Sequence, residues 1–278
     1  MARRFDTISF LSDYGHADEF VGVVHSVIRS IAPHVTVVDL VHDLAPFDVR
    51  GGSLALSRAI QYVAPGIVLA IVDPGVGTDR RAIAAEVGED GEGILIGPDN
   101  GLLAPAALMC GGVTRAVELT NPEYRLVAPG PTFAGRDVFA PAAAHLASGV
   151  PITALGPEID PYQLRPSLVP LPRSDGDVLI AEVLWVDRYG NCQLNLAPEQ
   201  LVERGVVPGG VIGVAAGGES RRARWVETFA AAKPSELAVI VDSYGMCALA
   251  FDQRSAAAQL GLKAGTTVVV TTPEGSDQ

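Results

Sequence analysis

Between Thr7 and about Leu155, short apolar runs alternate with stretches whose apolar positions recur every three or four residues. The runs Thr7–Leu11, Val35–Leu40, Ile67–Val72 and Gly93–Ile96 predict strands, and Asp18–Ile31, Val49–Tyr62, Gly101–Met109 and Asp137–Ala147 predict helices. That alternation implies a mostly parallel sheet covered by helices. The character changes at 165–176, where Pro166, Pro170 and Pro172 remove backbone donors and disfavour helix and interior strand alike. Beyond it come strand-like runs at Asp177–Val186, Asn191–Leu196, Val211–Ala215, Leu237–Val241, Met246–Phe251 and Thr266–Val270, with one short helix at Ser255–Leu260. The expected class is α/β: an amino-terminal sheet domain at 1–164, a Pro-rich linker at 165–176, and a smaller β-barrel or sandwich at 177–278.

A chain of 278 residues, 48% apolar, has material for two packed cores. A net charge of −12 argues against nucleic acid or an anionic membrane as partner. Cys110, Cys192 and Cys247 fit neither a disulfide framework nor a zinc knuckle, and read as buried thiols in a reducing cytoplasm. The start at Met1-Ala2-Arg3-Arg4 leads into a strand-like run, not the apolar core of a signal peptide, and no run approaches the ~20 apolar residues of a membrane span. The five histidines show no metal-ligand spacing, and the chain lacks a nucleophile elbow, a P-loop and a dinucleotide-binding fingerprint.

The chemistry concentrates in turns. Asp73-Pro74-Gly75-Val76-Gly77 follows the run Ile67–Val72, so Asp73 emerges at a strand's carboxyl end, where open α/β sheets bind ligands. Seven residues on, Arg80 begins a strand-like run that returns towards Asp73; a pair between them orients a water and lowers the Asp73 pKa, or simply braces a hairpin. Asp13, in Ser12-Asp13-Tyr14-Gly15, has two acceptor oxygens for the hydroxyls of a ribose, with helix capping as the alternative. Asp187 and Asn191, in Asp187-Arg188-Tyr189-Gly190-Asn191, suit an ammonium and a purine edge, or a plain hairpin turn; Ser243 suits a carboxylate, or a turn.

In order, Ser12-Asp13-Tyr14-Gly15, His42-Asp43-Leu44-Ala45-Pro46-Phe47-Asp48-Val49, Asp73-Pro74-Gly75-Val76-Gly77, Gly97-Pro98-Asp99-Asn100-Gly101-Leu102-Leu103 and Tyr189-Gly190-Asn191 resemble the S-adenosyl-L-methionine (SAM) hydroxide adenosyltransferases. These adenosine-forming SAM hydrolases are relatives of the SAM-dependent 5′-fluorinase and chlorinase. The resemblance implies an α/β domain joined to a carboxyl-terminal β-barrel, a homotrimer with SAM bound between subunits, and attack of water or hydroxide on ribose C5′. The products are adenosine and L-methionine, with SAM as substrate and no cofactor or metal. It also implies roles: Asp73 and Arg80 as two of three catalytic residues, Asp13 on the ribose, Asp187 on the methionine ammonium, Asn191 on adenine and Ser243 on the methionine carboxylate. The resemblance further implies that the segment holding Arg254, Ser255 and Ala256 approaches adenine through its backbone.

The third catalytic residue of the family is a histidine, and Ala134 stands in its place within Thr132-Phe133-Ala134-Gly135-Arg136-Asp137. Loss of one positioned polar group costs ~10²-fold or more in rate. An engineered alanine, a natural variant of reduced turnover and a member specialised away from hydrolysis are the three explanations. Two other functions compete: a SAM- or adenosine-binding protein without catalysis, and a 5′-halogenase. Asp73 argues against the latter, because a carboxylate repels a halide nucleophile.

Overall fold

The computed structural model describes residues 5–272 except Asp90 and Leu168, so the start at Met1–Arg4 and one residue of the expected linker lie outside the described residues. The chain forms two compact units that divide between residues 168 and 169.

The first unit runs β1 (Thr7–Ser12), α1 (Phe20–Ile31), β2 (Thr36–Val41), α2 (Val49–Ile60), β3 (Ile67–Ile71), β4 (Ala82–Val87), β5 (Gly93–Pro98), α3 (Ala104–Met109), β6 (Val113–Glu118), α4 (Ala140–Ala147) and β7 (Glu158–Ile159). Its seven strands lie in the order β2-β1-β3-β5-β4-β6-β7. The sheet is half parallel: β1 pairs parallel with β2 and β3, and β3 with β5, while β4–β5, β4–β6 and β6–β7 are antiparallel. The expected excess of parallel pairing fails because no helix intervenes between β3 and β4 or between β4 and β5.

Every residue of β3 is buried, and its side chains alternate between two cores. Ile67, Leu69 and Ile71 pack with residues of α1 and α4, including Val24, Ile28 and Ala143. Val68, Ala70 and Val72 pack with residues of α2 and α3, including Leu56 and Ala107. A strand covered on both faces has no polar side to alternate with, which is why it reads as an unbroken apolar run.

Helix boundaries depart from the periodicity for local reasons. Gly101 sits at φ +95°, outside helical geometry, so α3 starts at Ala104. Pro141 has no N–H to offer the carbonyl of Asp137, which accepts instead from Leu126 N at 2.9 Å. The segment Gly135–Phe139 therefore winds as a π-turn before α4 begins. Asp18 is not a cap; α1 follows Glu19, which makes no side-chain capping bond.

The second unit contains β8 (Arg173–Asp175), β9 (Val178–Val186), β10 (Cys192–Leu194), α5 (Pro198–Val202), β11 (Val211–Ala216), β12 (Glu219–Trp225), β13 (Leu237–Val241), β14 (Cys247–Ala250), α6 (Ala256–Leu260) and β15 (Thr267–Thr271). Strands β9-β10-β14-β13-β12-β11-β15 close on themselves into a seven-stranded barrel, since β15 pairs with β9 and β9 with β10. The stretch 173–175, read from sequence as linker, pairs with β9 as an outer strand. Strand β12 escaped the pattern because Glu219–Arg222 are all exposed and mostly charged, leaving only Ala223 and Trp225 to mark the inside. Cys192 and Cys247 are buried thiols, with burial pushing each up to about 12; Cys110 is only half-buried, contrary to expectation. Among the described residues no helix is long and apolar enough to cross a membrane.

Gly97 in β5 is required by close approach: a Cβ there lies 2.3 Å from the carbonyl oxygen of Ala70 in the neighbouring β3. Gly97→Val should destabilise the protein by about 2–3 kcal/mol through overpacking. Urea denaturation checks this, expecting a lower midpoint than for the parent chain.

Candidate functional site

Strands β1 and β3 are parallel neighbours with Ser12 opposite Ile71, so the residues that follow them leave the sheet at the same edge. Asp13 N donates to Ile71 O at 3.3 Å, and Asp73 emerges two residues beyond Ile71. Adjacent strand ends thus bring Asp13 and Asp73 together, near enough for the Asp13 charge to raise the Asp73 pKa.

Arg80 closes on Asp73 through two bonds, Nε to Oδ1 at 3.0 Å and Nη2 to Oδ2 at 2.5 Å. The side chains are only 12% and 7% exposed, so this is a largely desolvated ion pair. It is not the brace of a β3–β4 hairpin, because β5 lies between those strands. The chain instead bends through Gly75, whose hydrogen leaves 3.3 Å between an ideal Cβ position and Arg80 Cβ, and through Gly77 at φ +79°. Phe139, from the π-turn, places its ring 5.5 Å from the guanidinium carbon.

The electrostatic outcome reverses one expectation. Burial, with the Asp13 charge adding to it, outweighs the Arg80 guanidinium and its hydrogen bonds, and the Asp73 carboxyl is held above the usual range. Asp73 is therefore a better proton acceptor than a simple salt-bridged aspartate.

Asp13 does not cap a helix. Its Oδ2 accepts from Phe47 N at 2.8 Å, and Phe47 adopts the left-handed region at φ +68° with its ring exposed. Tyr14, next in sequence, is a site neighbour that sequence reasoning missed. Burial and the charges of Asp73 and Asp13 raise its pKa, so it stays a neutral phenol. Its hydroxyl occupies the space a Cβ on Gly135 would need, 2.2 Å away, and its ring packs edge-on against Phe133 at 5.7 Å. Ala134, half-buried between those residues, opens the π-turn and contributes a methyl group to the edge of the core, with nothing that can hydrogen-bond.

A second feature invisible in the spacing lies behind Asp13. Ser12 Oγ and His42 Nδ1 are 2.7 Å apart, and both residues are buried. His42 Nε2 lies 2.9 Å from Asp39 Oδ1, Tyr14 N donates to Ser12 Oγ, and Gly15 N donates to His42 O. These bonds lock the 12–15 turn to the end of β2. The 97–101 segment serves similarly: Asn100 Nδ2 donates to Val72 O at 2.9 Å, and buried Asp99 accepts from Arg81 and from Arg165 N.

In the second unit, Asp187, Asn191, Ser243, Arg254 and Ser255 line one cavity of about 930 Å³. Two turns shape it alike. Asp187 accepts from Tyr189 N, Asn191 N and Asn191 Nδ2 at 2.7–2.9 Å. Asp242 accepts from Tyr244 N, Met246 N and Gln193 Nε2. The hairpin-turn role is thus real, and Asn191 keeps one amide hydrogen and its carbonyl beyond the bond to Asp187. Ser255 caps α6 by accepting from Ala258 N, and Gly190 must be glycine because a Cβ would lie 2.0 Å from Ser255 Oγ. Ala256, also expected at the site, is buried in the barrel core and offers only backbone. Trp185, Phe229 and Tyr244 also line the cavity, and of these only Tyr244 lay in a turn that the sequence had marked, the one that carries Ser243.

Residues 8–156 match the SAM hydroxide adenosyltransferase N-terminal domain, and residues 181–269 match the C-terminal domain of the same name. The chain belongs to the SAM hydroxide adenosyltransferase family. It is 45% identical over 264 residues to the (R)-S-adenosyl-L-methionine hydrolase of Salinispora tropica, covering 95% of this chain and 97% of that protein. A fluorinase of an Actinoplanes species is 29% identical, with 95% and 97% covered. Among solved structures, an uncharacterized conserved protein from Thermotoga maritima superposes with a TM-score of 0.87 at 32% identity, over 95% of this chain and 99% of that one. The motifs that carried the resemblance are, in this family member, the turns that hold Asp13, Asp73, Arg80 and Asp187 in place.

Arg80→Met leaves the buried Asp73 carboxylate without its counter-ion, and stability at neutral pH should fall by about 3–5 kcal/mol. The loss should shrink on acidification, since a protonated Asp73 needs no partner. Denaturant titrations at neutral and acid pH read both effects.

Proposed function

We propose that this protein is a SAM hydrolase that converts SAM and water to adenosine, L-methionine and a proton. The observation that carries the reading is the bidentate Asp73–Arg80 pair, set beside Asp13 where β1 and β3 end. Asp13 holds the ribose hydroxyls, leaving C5′ to face Asp73. Asp73 accepts a hydrogen bond from the attacking water and Arg80 stabilises the hydroxide character that develops on it. The new C5′–O bond forms as the C5′–S bond breaks, and its electron pair leaves on sulfur as the neutral thioether of methionine. No acid is needed for that departure, and the proton released by water passes through Asp73 to solvent.

Asp187 binds the methionine ammonium, Ser243 its carboxylate, Asn191 the adenine edge, and the Arg254–Ala256 backbone the rest of the purine. The aromatic residues of that cavity suit a base that stacks. The assembly that the resemblance implies is a homotrimer with its sites shared between subunits, working in the cytoplasm without a cofactor. Ala134 supports a second reading, a SAM-binding protein whose chemistry has lapsed, because a methyl group cannot align the water as an imidazole does. Halogenation is disfavoured by the buried charge of Asp73 at the nucleophile position.

Chromatography of SAM incubated with the protein separates these readings. Adenosine supports hydrolysis, a 5′-haloadenosine formed with added halide supports halogenation, and unchanged SAM despite binding supports the lapsed enzyme. Ala134→His should raise turnover by ~10²-fold; a variant that binds SAM yet gains nothing contradicts the role given to that position. The pH–rate profile provides a further check. Asp73 acts deprotonated, so the rate should fall with acidity along a limb centred above 3.8, and that limb should move higher in Arg80→Met.

A further inference from the structure

Three of the five histidines, His16, His25 and His42, gather at one corner of the first unit although 9 and 17 residues separate them in sequence. His25 Nε2 lies 2.8 Å and His42 Nε2 2.9 Å from the same oxygen, Asp39 Oδ1. We propose that His25, Asp39 and His42 form a binding site for a divalent transition metal of the zinc class.

The donor set is two imidazole nitrogens and a carboxylate, a set that suits Zn²⁺ and its neighbours and that Mg²⁺ or Ca²⁺ does not favour. Ligand atoms about 2.1 Å from a tetrahedral metal lie about 3.4 Å apart, so the nitrogens would withdraw from Asp39 Oδ1, now 2.8 and 2.9 Å away, by roughly 0.5–0.6 Å. The outer support that metal-binding histidines require is already built: Ser12 Oγ holds Nδ1 of the buried His42 at 2.7 Å and aims Nε2 at Asp39. Without metal, Ser12 donates to Nδ1 and Nε2–H donates to Asp39. With metal, the tautomer inverts, Nδ1–H donates to Ser12 Oγ, and Nε2 offers its lone pair. Either state leaves no ring nitrogen unpaired.

Access and reach also fit. The His25 and Asp39 side chains are 34% and 42% exposed, so an ion enters from solvent, while His42 forms the buried wall. The exposed His16 packs near His42, ring centroids 5.4 Å apart, but stands outside the three-residue cluster, so water fills the fourth position. The three ligands come from α1, β2 and the residue just after β2. A bound ion therefore staples helix to sheet edge, a structural role separate from the SAM chemistry.

Zinc chloride titrated into the chelator-stripped full chain tests this by calorimetry, alongside thermal unfolding and the visible spectrum of Co²⁺. The site predicts one ion per chain, a melting rise of roughly 5 °C at a hundredfold excess over Kd, and the intense bands of four-coordinate cobalt. His25→Ala, on an exposed helix face, and Asp39→Asn should each abolish all three, while Asp73→Asn should retain them. Absent saturable binding, binding that survives both substitutions, or a weak hexa-aqua-like cobalt spectrum overturns the proposal and leaves the cluster a hydrogen-bonded brace. A lost SAM activity with zinc binding intact counts only against the hydrolase reading.

Discussion

A carboxylate and a guanidinium with little access to water, joined by two hydrogen bonds, are the constraint around which the first unit is organised. Desolvating both charges is expensive, and the geometry must be kept nearly ideal for the pair to persist. The surroundings supply that rigidity. Two parallel strands with fully buried interiors set the takeoff points of Asp13 and Asp73, two glycines let the 73–80 turn fold back without a side chain in the way, and Phe139 supports the guanidinium from the core side. The 97–101 segment pins Val72 from the other flank through Asn100. Because Asp13 and Asp73 are like charges at one edge, Arg80 offsets their repulsion, while burial, with a small addition from Asp13, lifts the Asp73 pKa.

The second unit solves a different problem. Its cavity sits over paired turns in which Asp187 and Asp242 each gather backbone N–H groups and a side-chain amide. Such turns fix the carboxylate oxygens in direction, which suits recognition of an ammonium. The same hydrogen bonds make them stable hairpin turns, so structural and binding roles coincide in the same atoms.

Much of this was legible in the chain and some was not, for physical reasons. Strands with continuous apolar runs, such as Ile67–Ile71, announced themselves. Strand β12 did not, because its outward charges hide the inward alternation. The π-turn at Gly135–Phe139 needed knowledge of where the Asp137 carbonyl finds its donor, which only tertiary contact reveals. Asp73, Arg80 and Asp187 were marked by their position in glycine-containing turns. Tyr14 and the Ser12–His42–Asp39 chain were not, since a burial-dependent role leaves no spacing signal, and the histidines that meet at Asp39 are far apart along the sequence. The sign of the Asp73 shift was misjudged for the same reason: a charge partner is readable from sequence, whereas the depth of burial is not.

Heavy-oxygen water identifies the nucleophile when SAM is incubated with this protein and, in parallel, with its Asp73→Asn variant. Adenosine should carry the solvent label on its 5′ oxygen and L-methionine none, with label transfer at least ~10²-fold slower in the variant. Adenosine without the label, or equal labelling by both proteins, would contradict the assignment of Asp73 and Arg80 as the groups that hold the attacking water.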